Sequence, residues 1–199
     1  MALRIMLSDV YQQAARENDA SRLVDPENHL LWRMPRRRLE VEAMRDAMLA
    51  TAGRLDTTMG GRPCDLLAEP FIPRRTIFGL VNRDVIQGFF STFDAADPSA
   101  CAVQRPETTV PQQALFALNS SFIQEQATHL AERAEVTSAA NDMQRIQALF
   151  RCAYARLPSD EELAEAVSYI NSQVDSPTST RWARLAHVLL AANEFVFVD

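Results

Sequence analysis

The chain contains no lysine. All 20 of its basic residues are arginine, so Schiff-base catalysis and the lysine of a phosphate-binding loop are excluded together. Codon usage in a GC-rich genome explains the bias, and so does selection for bidentate contacts to carboxylate or sulfate; the sequence leaves both open. Cysteine is scarce and widely spaced, at Cys64, Cys101 and Cys152. No C-x-x-C or C-x-x-C-H occurs, which rules out a zinc ribbon, a thioredoxin-type site and covalently attached c-type haem. One disulfide is open to the chain, Cys64–Cys101 being favoured because both residues fall in loops; the alternative is three free thiols. No apolar run approaches the roughly 20 residues needed to cross a bilayer. The opening MALRIMLSDVYQQ is amphipathic, with polar residues inside the apolar stretch, and is not a signal peptide.

The signatures of common chemistry are missing too. There is no G-x-S-x-G elbow, no G-x-x-x-x-G-K-[ST] loop and no G-x-G-x-x-G fingerprint. His29, His129 and His187 stand apart, without metal-ligand spacing, and no cofactor is expected in this chain. Glu125 and His129 are one helical turn apart, which suits a surface pair or a shared ligand. His187 is expected to pack against its neighbours.

What is present is enough apolar sequence for a real core. Apolar residues make up 47% of 199 positions, and a chain of this length buries about 70% of its unfolded surface. Length alone suits one domain over residues 1–199. The net charge of −6 argues against nucleic acid or an anionic membrane as the main partner, because both need a basic footprint.

Periodicity makes the chain mainly α: an irregular multi-helix domain ending in an antiparallel helical hairpin. Apolar residues at helical spacing predict a helix over 2–18, through Leu3, Met6, Leu7, Val10, Tyr11 and Ala14. Asp25-Pro26 opens a short helix to Trp32, and Pro35 heads the next, over 35–52, closed by Gly53. Residues 54–75 and 94–110 read as long loops. RTIFGLVN at 75–82 is the best candidate for a short buried strand or hairpin. Gly79 within it signals a bulge or a close backbone approach. A short helix is expected at 84–93. Thr109-Val110-Pro111-Gln112 combines a capping box with an early proline, and Ser121 is placed to cap the following helix. Asn141 with Gln144, and Ser159 with Glu162, start two further helices whose stripes run Ile146, Leu149, Phe150, Ala153, Leu157 and Leu163, Ala166, Val167, Ile170, Val174. Their short connection predicts the hairpin. A last helix over about 180–193 carries Trp182, Leu185 and Leu189, with Phe195 just beyond.

Two constellations qualify as candidate sites. Arg36, Arg37 and Arg38 fall in the first turn of the 35–52 helix, the positive end of its dipole, where cations are unfavourable by about 0.3–1 kcal/mol each. Pairing with Glu40 and Glu42, with Arg45 three residues from Glu42, offsets that cost as a surface ladder. The other reading is anion recognition, with Arg74 and Arg75 joining the cluster. The second constellation is the acidic loop of Asp94 and Asp97, with Arg105 and Glu107 beyond. It suits a cation or an acid–base pair, or simply turn chemistry.

Four blocks, in order, carry a resemblance: WRMPRRRLEVEAMRDAML from Trp32, RRTIFGLVNRD from Arg74, FDAADPSACAVQRPETTVPQQALFALNSSF from Phe93 and NEFVFVD from Asn193. Together they resemble the domain of unknown function 1553, typical of planctomycete-type bacteria. The resemblance implies an extracytoplasmic, multidomain context in large secreted proteins that also carry a cytochrome-c-like module. It further implies that MALRIMLSDVYQQ corresponds to an internal helix and that an upstream portion of the domain is missing. That family brings no catalytic residues to transfer. Two functions are therefore expected. One is a non-catalytic interaction or scaffold domain whose partners are neighbouring domains of the same or a related polypeptide. The alternative is binding or hydrolysis of an anionic, sulfated polysaccharide through the arginine cluster. An accessory role beside a haem module rests on the implied context alone.

Overall fold

A computed structural model describes residues 2–82, 88–101, 103, 105–106, 108–172 and 177–198. Their backbone groups into two compact units, residues 1–39 with 197–199 and residues 40–196. The protein is mainly helical, as its periodicity predicts. Among the described residues its one sheet is a two-residue antiparallel pair, β1 (Arg37–Arg38) with β2 (Phe197–Val198), in the register Arg37 to Val198 and Arg38 to Phe197.

In the larger unit, α6 (Ser121–Glu132) packs along α10 (Thr178–Ala191). The buried faces follow the helical repeat: Phe122, Ile123, Ala127 and Leu130 on the first, Trp182, Leu185, Ala186, Leu189 and Leu190 on the second. α3 (Val41–Thr51) adds Val41, Met44, Met48 and Leu49. Arg133, in the bend between α6 and α7 (Ala134–Thr137), donates to the terminal carbonyls of α3, Thr51 at 2.8 Å and Ala50 at 3.4 Å. A cation there satisfies orphan acceptors and meets the negative end of the dipole.

The predicted hairpin is α8 (Asp142–Tyr154) and α9 (Asp160–Ser172), which pack on each other. The Asn141 side chain accepts from the Gln144 amide at 2.9 Å while the Gln144 side chain accepts from Ala140 N at 3.2 Å. Ser159 and Glu162 form a reciprocal capping box at 3.2 and 2.7 Å. Ile146, Leu149 and Phe150 are buried, as are Ala166 and Ile170, whereas Leu157 is half exposed; Val174 lies outside the described residues. Arg156 locks the hairpin to α11 (Asn193–Val196), holding Glu162 at 2.6–2.7 Å and Glu194 at 2.5–2.6 Å.

Several elements differ from expectation. The 2–18 stripe yields only α1 (Ala2–Met6), followed by turns; Asn18 then caps α2 (Asp19–Val24) with its side chain. Residues 25–32 form turns, not a helix, because Asp25 turns its carboxylate onto the amides of His29 and Leu30 at 3.0 and 2.7 Å. α3 begins at Val41, with Glu40 as N-cap and Glu42 in its first turn. The arginines are therefore not at the helix start: the conflict with the dipole is resolved by placing carboxylates there and leaving Arg37 and Arg38 extended.

No strand forms at 75–82. Thr76–Phe78 is a 3-10 turn flanked by two isolated parallel bridges, Asp56 with Arg74 and Cys64 with Gly79. Ile77, Leu80 and Val81 are exposed, and the run meets another backbone only at the single Cys64–Gly79 bridge, too little to make a strand. The reading of Gly79 as a close backbone approach holds, however: it bridges Cys64, and a Cβ there would run into the Leu66 side chain.

The helix expected at 84–93 is seen as α4 (Gly88–Thr92), its first residues lying outside the described part. α5 (Pro111–Asn119) has its proline at the first turn, but neither Val110 before it nor Ser120 before α6 makes a side-chain cap. Ser121 donates instead to Glu69 at 2.9 Å. Phe89 stacks on Phe116 at 4.7 Å and Phe93 meets both rings at 5.3–5.5 Å, joining α4 to α5.

Candidate functional site

In the smaller unit two chain segments, 11–16 and 34–37, face each other across a cleft of about 530 Å³. The Met34 amide donates to the Ala14 carbonyl at 3.2 Å and fixes their approach. Pro35 keeps the second segment extended, and the pairing of Arg37 with Val198 closes one end. The polar lining is Tyr11, Gln12, Gln13, Arg16, Arg36 and Arg37, with no acidic residue among the lining groups. Arg16 and Arg37 are exposed and have no ion-pair partner among the described residues. Two of the three clustered arginines thus share one concavity with a third arginine that the sequence reading passed over. Its signal, Gln-Gln-Ala-Ala-Arg, was hidden inside a stripe read as helix. Arg38 is half buried on β1 and is not among the lining residues.

Arg74 and Arg75 belong to the other unit. Arg74 donates to the carbonyls of Arg62 at 3.2 Å, Thr58 at 3.3 Å and Gly60, and stacks 4.4 Å over the Phe78 ring. It organises the 58–62 loop. Arg75 Nε lies 3.7 Å from Asp46 Oδ2.

The residue most strongly built in is one the sequence assigned to the surface. Arg45 is fully buried. It donates to Ile72 O at 2.7 Å, Arg74 O at 2.9 Å and Thr76 Oγ1 at 3.3 Å, and lies over the Phe122 ring. Asp46 accepts from Thr76 N and Oγ1, both at 2.7 Å. Burial lowers the Arg45 pKa against the opposing pull of Asp46. This is an anchor that ties the 70–76 loop to α3. Glu42 correspondingly pairs not with Arg45 but with Arg105, bidentately at 2.7 and 3.0 Å, and Arg105 also lies 3.4 Å from Glu40.

The acidic loop is used in turns. Asp94, at φ 58°, accepts from Thr108 N at 2.9 Å and Oγ1 at 2.7 Å. Asp97 accepts from Ser99 N at 2.8 Å and Oγ at 2.6 Å, which lowers its pKa. Glu107 lies outside the described residues.

Glu125 and His129 stand 3.9 Å apart and share Arg54, whose Nη1 is 2.5 Å from Glu125 Oε1 and 2.7 Å from His129 Nε2. A guanidinium can only donate, so His129 Nε2 is the acceptor in this contact. His187 Nε2 donates to the Ala117 carbonyl at 2.8 Å. The three cysteines are free thiols, and no group of three metal-ligating side chains occurs among the described residues. No helix among them is long and apolar enough to cross a membrane.

The sequence model of a family described as "Protein of unknown function (DUF1553)", PSD1, covers residues 1–170. No curated protein and no solved structure matches.

Proposed function

The chain belongs to the DUF1553 family of unknown function, and we propose that it serves as a non-catalytic helical interaction module of a secreted multidomain protein. The observation that carries this reading is the apolar surface of the smaller unit. Leu3, Leu7 and Val10 are 60–69% exposed, and Leu23 and Val24 reach 80% or more. Side chains of this kind, clustered in one short stretch, mark an interaction surface rather than ordinary surface scatter. The polar groups support the same reading, since Asp94, Asp97, His129 and His187 are occupied with turns, ion pairs and backbone carbonyls. Docking against neighbouring modules of the same or a related polypeptide would cover the apolar side chains.

Sedimentation velocity over a range of protein concentrations tests this. The isolated 199-residue chain should self-associate, and the double substitution Leu7→Glu, Val10→Glu should return it to a monomer. A wild-type chain that stays monomeric, soluble and inert to a hydrophobic dye would remove the reading.

A second reading is favoured by the cleft. Arg36 and Arg37, singled out as anion-binding candidates, line one concavity with Arg16 and Tyr11. That arrangement suits binding of an anionic polysaccharide, and calorimetry with a sulfated glycan is its direct test.

A further inference from the structure

From the cleft of the smaller unit we infer a specific subsite for a short, oxyanion-bearing sugar segment, in which Arg16 and Arg37 hold the charged groups and Tyr11 supports the ring. The inference rests on the anionic-polysaccharide reading and narrows it to one place.

Three observations converge. The first is charge distribution. Residues 1–39 and 197–199 hold seven arginines against six acidic residues, whereas residues 40–196 hold 13 against 20. The acidic excess of the protein therefore lies wholly in the larger unit, and the cleft sits in the unit that does not repel anions. The residues that line the cleft include arginines and no carboxylate.

The second is the chemistry of the lining. A guanidinium offers planar, paired N–H donors and is weakly hydrated, so it exchanges water for a sulfate or carboxylate at little desolvation cost. Arg16 and Arg37 make no ion pair with a described residue, so among those residues this capacity is not consumed, in contrast to Arg45, Arg105 and Arg156. Gln12 and Gln13 each bring an amide that both donates and accepts, which is what a hydroxyl group needs. Tyr11 is about half exposed and offers an aromatic body with a polar tip.

The third is shape. A volume of about 530 Å³ falls within the roughly 300–1,000 Å³ of small-ligand sites. Oxyanion recognition alone would need only the arginines; the added aromatic and amide groups point to a carrier with an apolar face and hydroxyls.

Isothermal calorimetry on the full chain decides it, with dextran sulfate oligosaccharides, oligogalacturonate, neutral dextran and inorganic sulfate as probes. The first two separate sulfate from carboxylate as the preferred group. The expected result is binding of at least one charged oligosaccharide and none of neutral dextran. Arg16→Ala and Arg37→Ala should each raise Kd about tenfold, and Tyr11→Ala about fivefold, while Arg62→Ala, an exposed arginine of the larger unit, should leave it unchanged. All four positions are exposed, so circular dichroism should report native folding in every variant. Equal weakening by Arg62→Ala would overturn the subsite in favour of diffuse charge attraction. Inorganic sulfate binding as tightly as the oligosaccharides, with Tyr11→Ala silent, would overturn the sugar. Binding that survives Arg16→Ala and Arg37→Ala but is lost in Arg74→Ala, Arg75→Ala would remove the subsite and keep polysaccharide binding. No heat with any charged probe would end both.

Discussion

The two units of this protein are stabilised by different physics. Residues 40–196 have a hydrophobic core of helix faces, with Trp182, Met44, Leu130, Ile146 and Leu190 at 2% exposure or less. Among the described residues of the smaller unit only Ala15 and Asp25 are buried. That unit is held by local polar geometry: Asp25 accepts two amides, its carbonyl accepts Trp32 Nε1 at 2.8 Å, and the Asn28 side chain bonds both the amide and the carbonyl of Arg33. A core of buried area resists opening as a whole, whereas a set of local hydrogen bonds opens piecemeal. The proposed functions draw on the second kind of region, where side chains are left free to meet something else.

The two tryptophans make this contrast measurable, since Trp182 sits in the larger unit and Trp32 in the smaller. Trp182→Ala should cost about 3–5 kcal/mol in urea unfolding, the usual price of emptying an aromatic site in a packed core. Trp32→Phe should leave that transition within about 0.5 kcal/mol. With both indoles fluorinated in the unsubstituted protein and followed by fluorine NMR, Trp32 should lose its native signal at lower urea than Trp182. Coincident midpoints would show that the units unfold together and would dissolve the contrast.

Arg45 sharpens it from the polar side. Arg45→Met keeps the volume but strands the half-buried carbonyls of Ile72 and Arg74, and an acceptor shut off from water costs about 1–3 kcal/mol when it loses its partner. A loss of about 2–4 kcal/mol in the larger unit is expected, against no measurable change for Arg37→Met. A neutral Arg45→Met would mean that water replaces the guanidinium and that the 70–76 loop is not anchored by it.

How much of this was written in local spacing follows from the same contrast. Helix starts governed by neighbours, Asn141 with Gln144 and Ser159 with Glu162, were legible, as was Pro111 at its first turn. So were the buried positions of α8, α9 and α10, because burial imposes the helical period directly. Partner choice across the chain was not. Glu42 sits beside Arg45 on one helix yet pairs with Arg105, and Arg45 points inward to a loop some 30 residues away. The apolar run at 75–82 reads as a strand, but a strand exists only where another backbone pairs with it, and no spacing rule reports that. The cleft lay hidden for a related reason: its two walls are 20 residues apart, and the amphipathic stretch of one was taken for a helix face.

Acid should separate the units by mechanism. Arg156 holds the Glu162 carboxyl down to about 2, and Arg133 does the same for Glu135. Both lie below the ordinary value of 4.5, so the folded state binds fewer protons than the unfolded one. The stabilisation is complete above about pH 4.5 and is lost as pH falls toward 2. Asp25 is lowered from 3.8 chiefly by the Leu30 amide, so its contribution also disappears downward from that value. Salt distinguishes the causes. Added sodium chloride should weaken the arginine pairs and raise the acid midpoint seen by Trp182, while the midpoint seen by Trp32, which depends on backbone amides, should move less. Equal salt shifts at both tryptophans would show that the smaller unit also relies on ion pairs.

The smallest effect expected is the most local. Asp25→Ala removes the acceptor for the amides of His29 and Leu30, and both bonds lie within the smaller unit. Hydrogen exchange at these amides should quicken roughly tenfold, the factor that one ordinary hydrogen bond supports. Exchange of the Leu130 and Leu190 amides, in the core helices, should be unchanged. If the core amides quicken as well, the turn at 25–33 is coupled to the folding of residues 40–196, and the smaller unit is part of the same cooperative structure instead of a locally stitched surface presented to a ligand or partner.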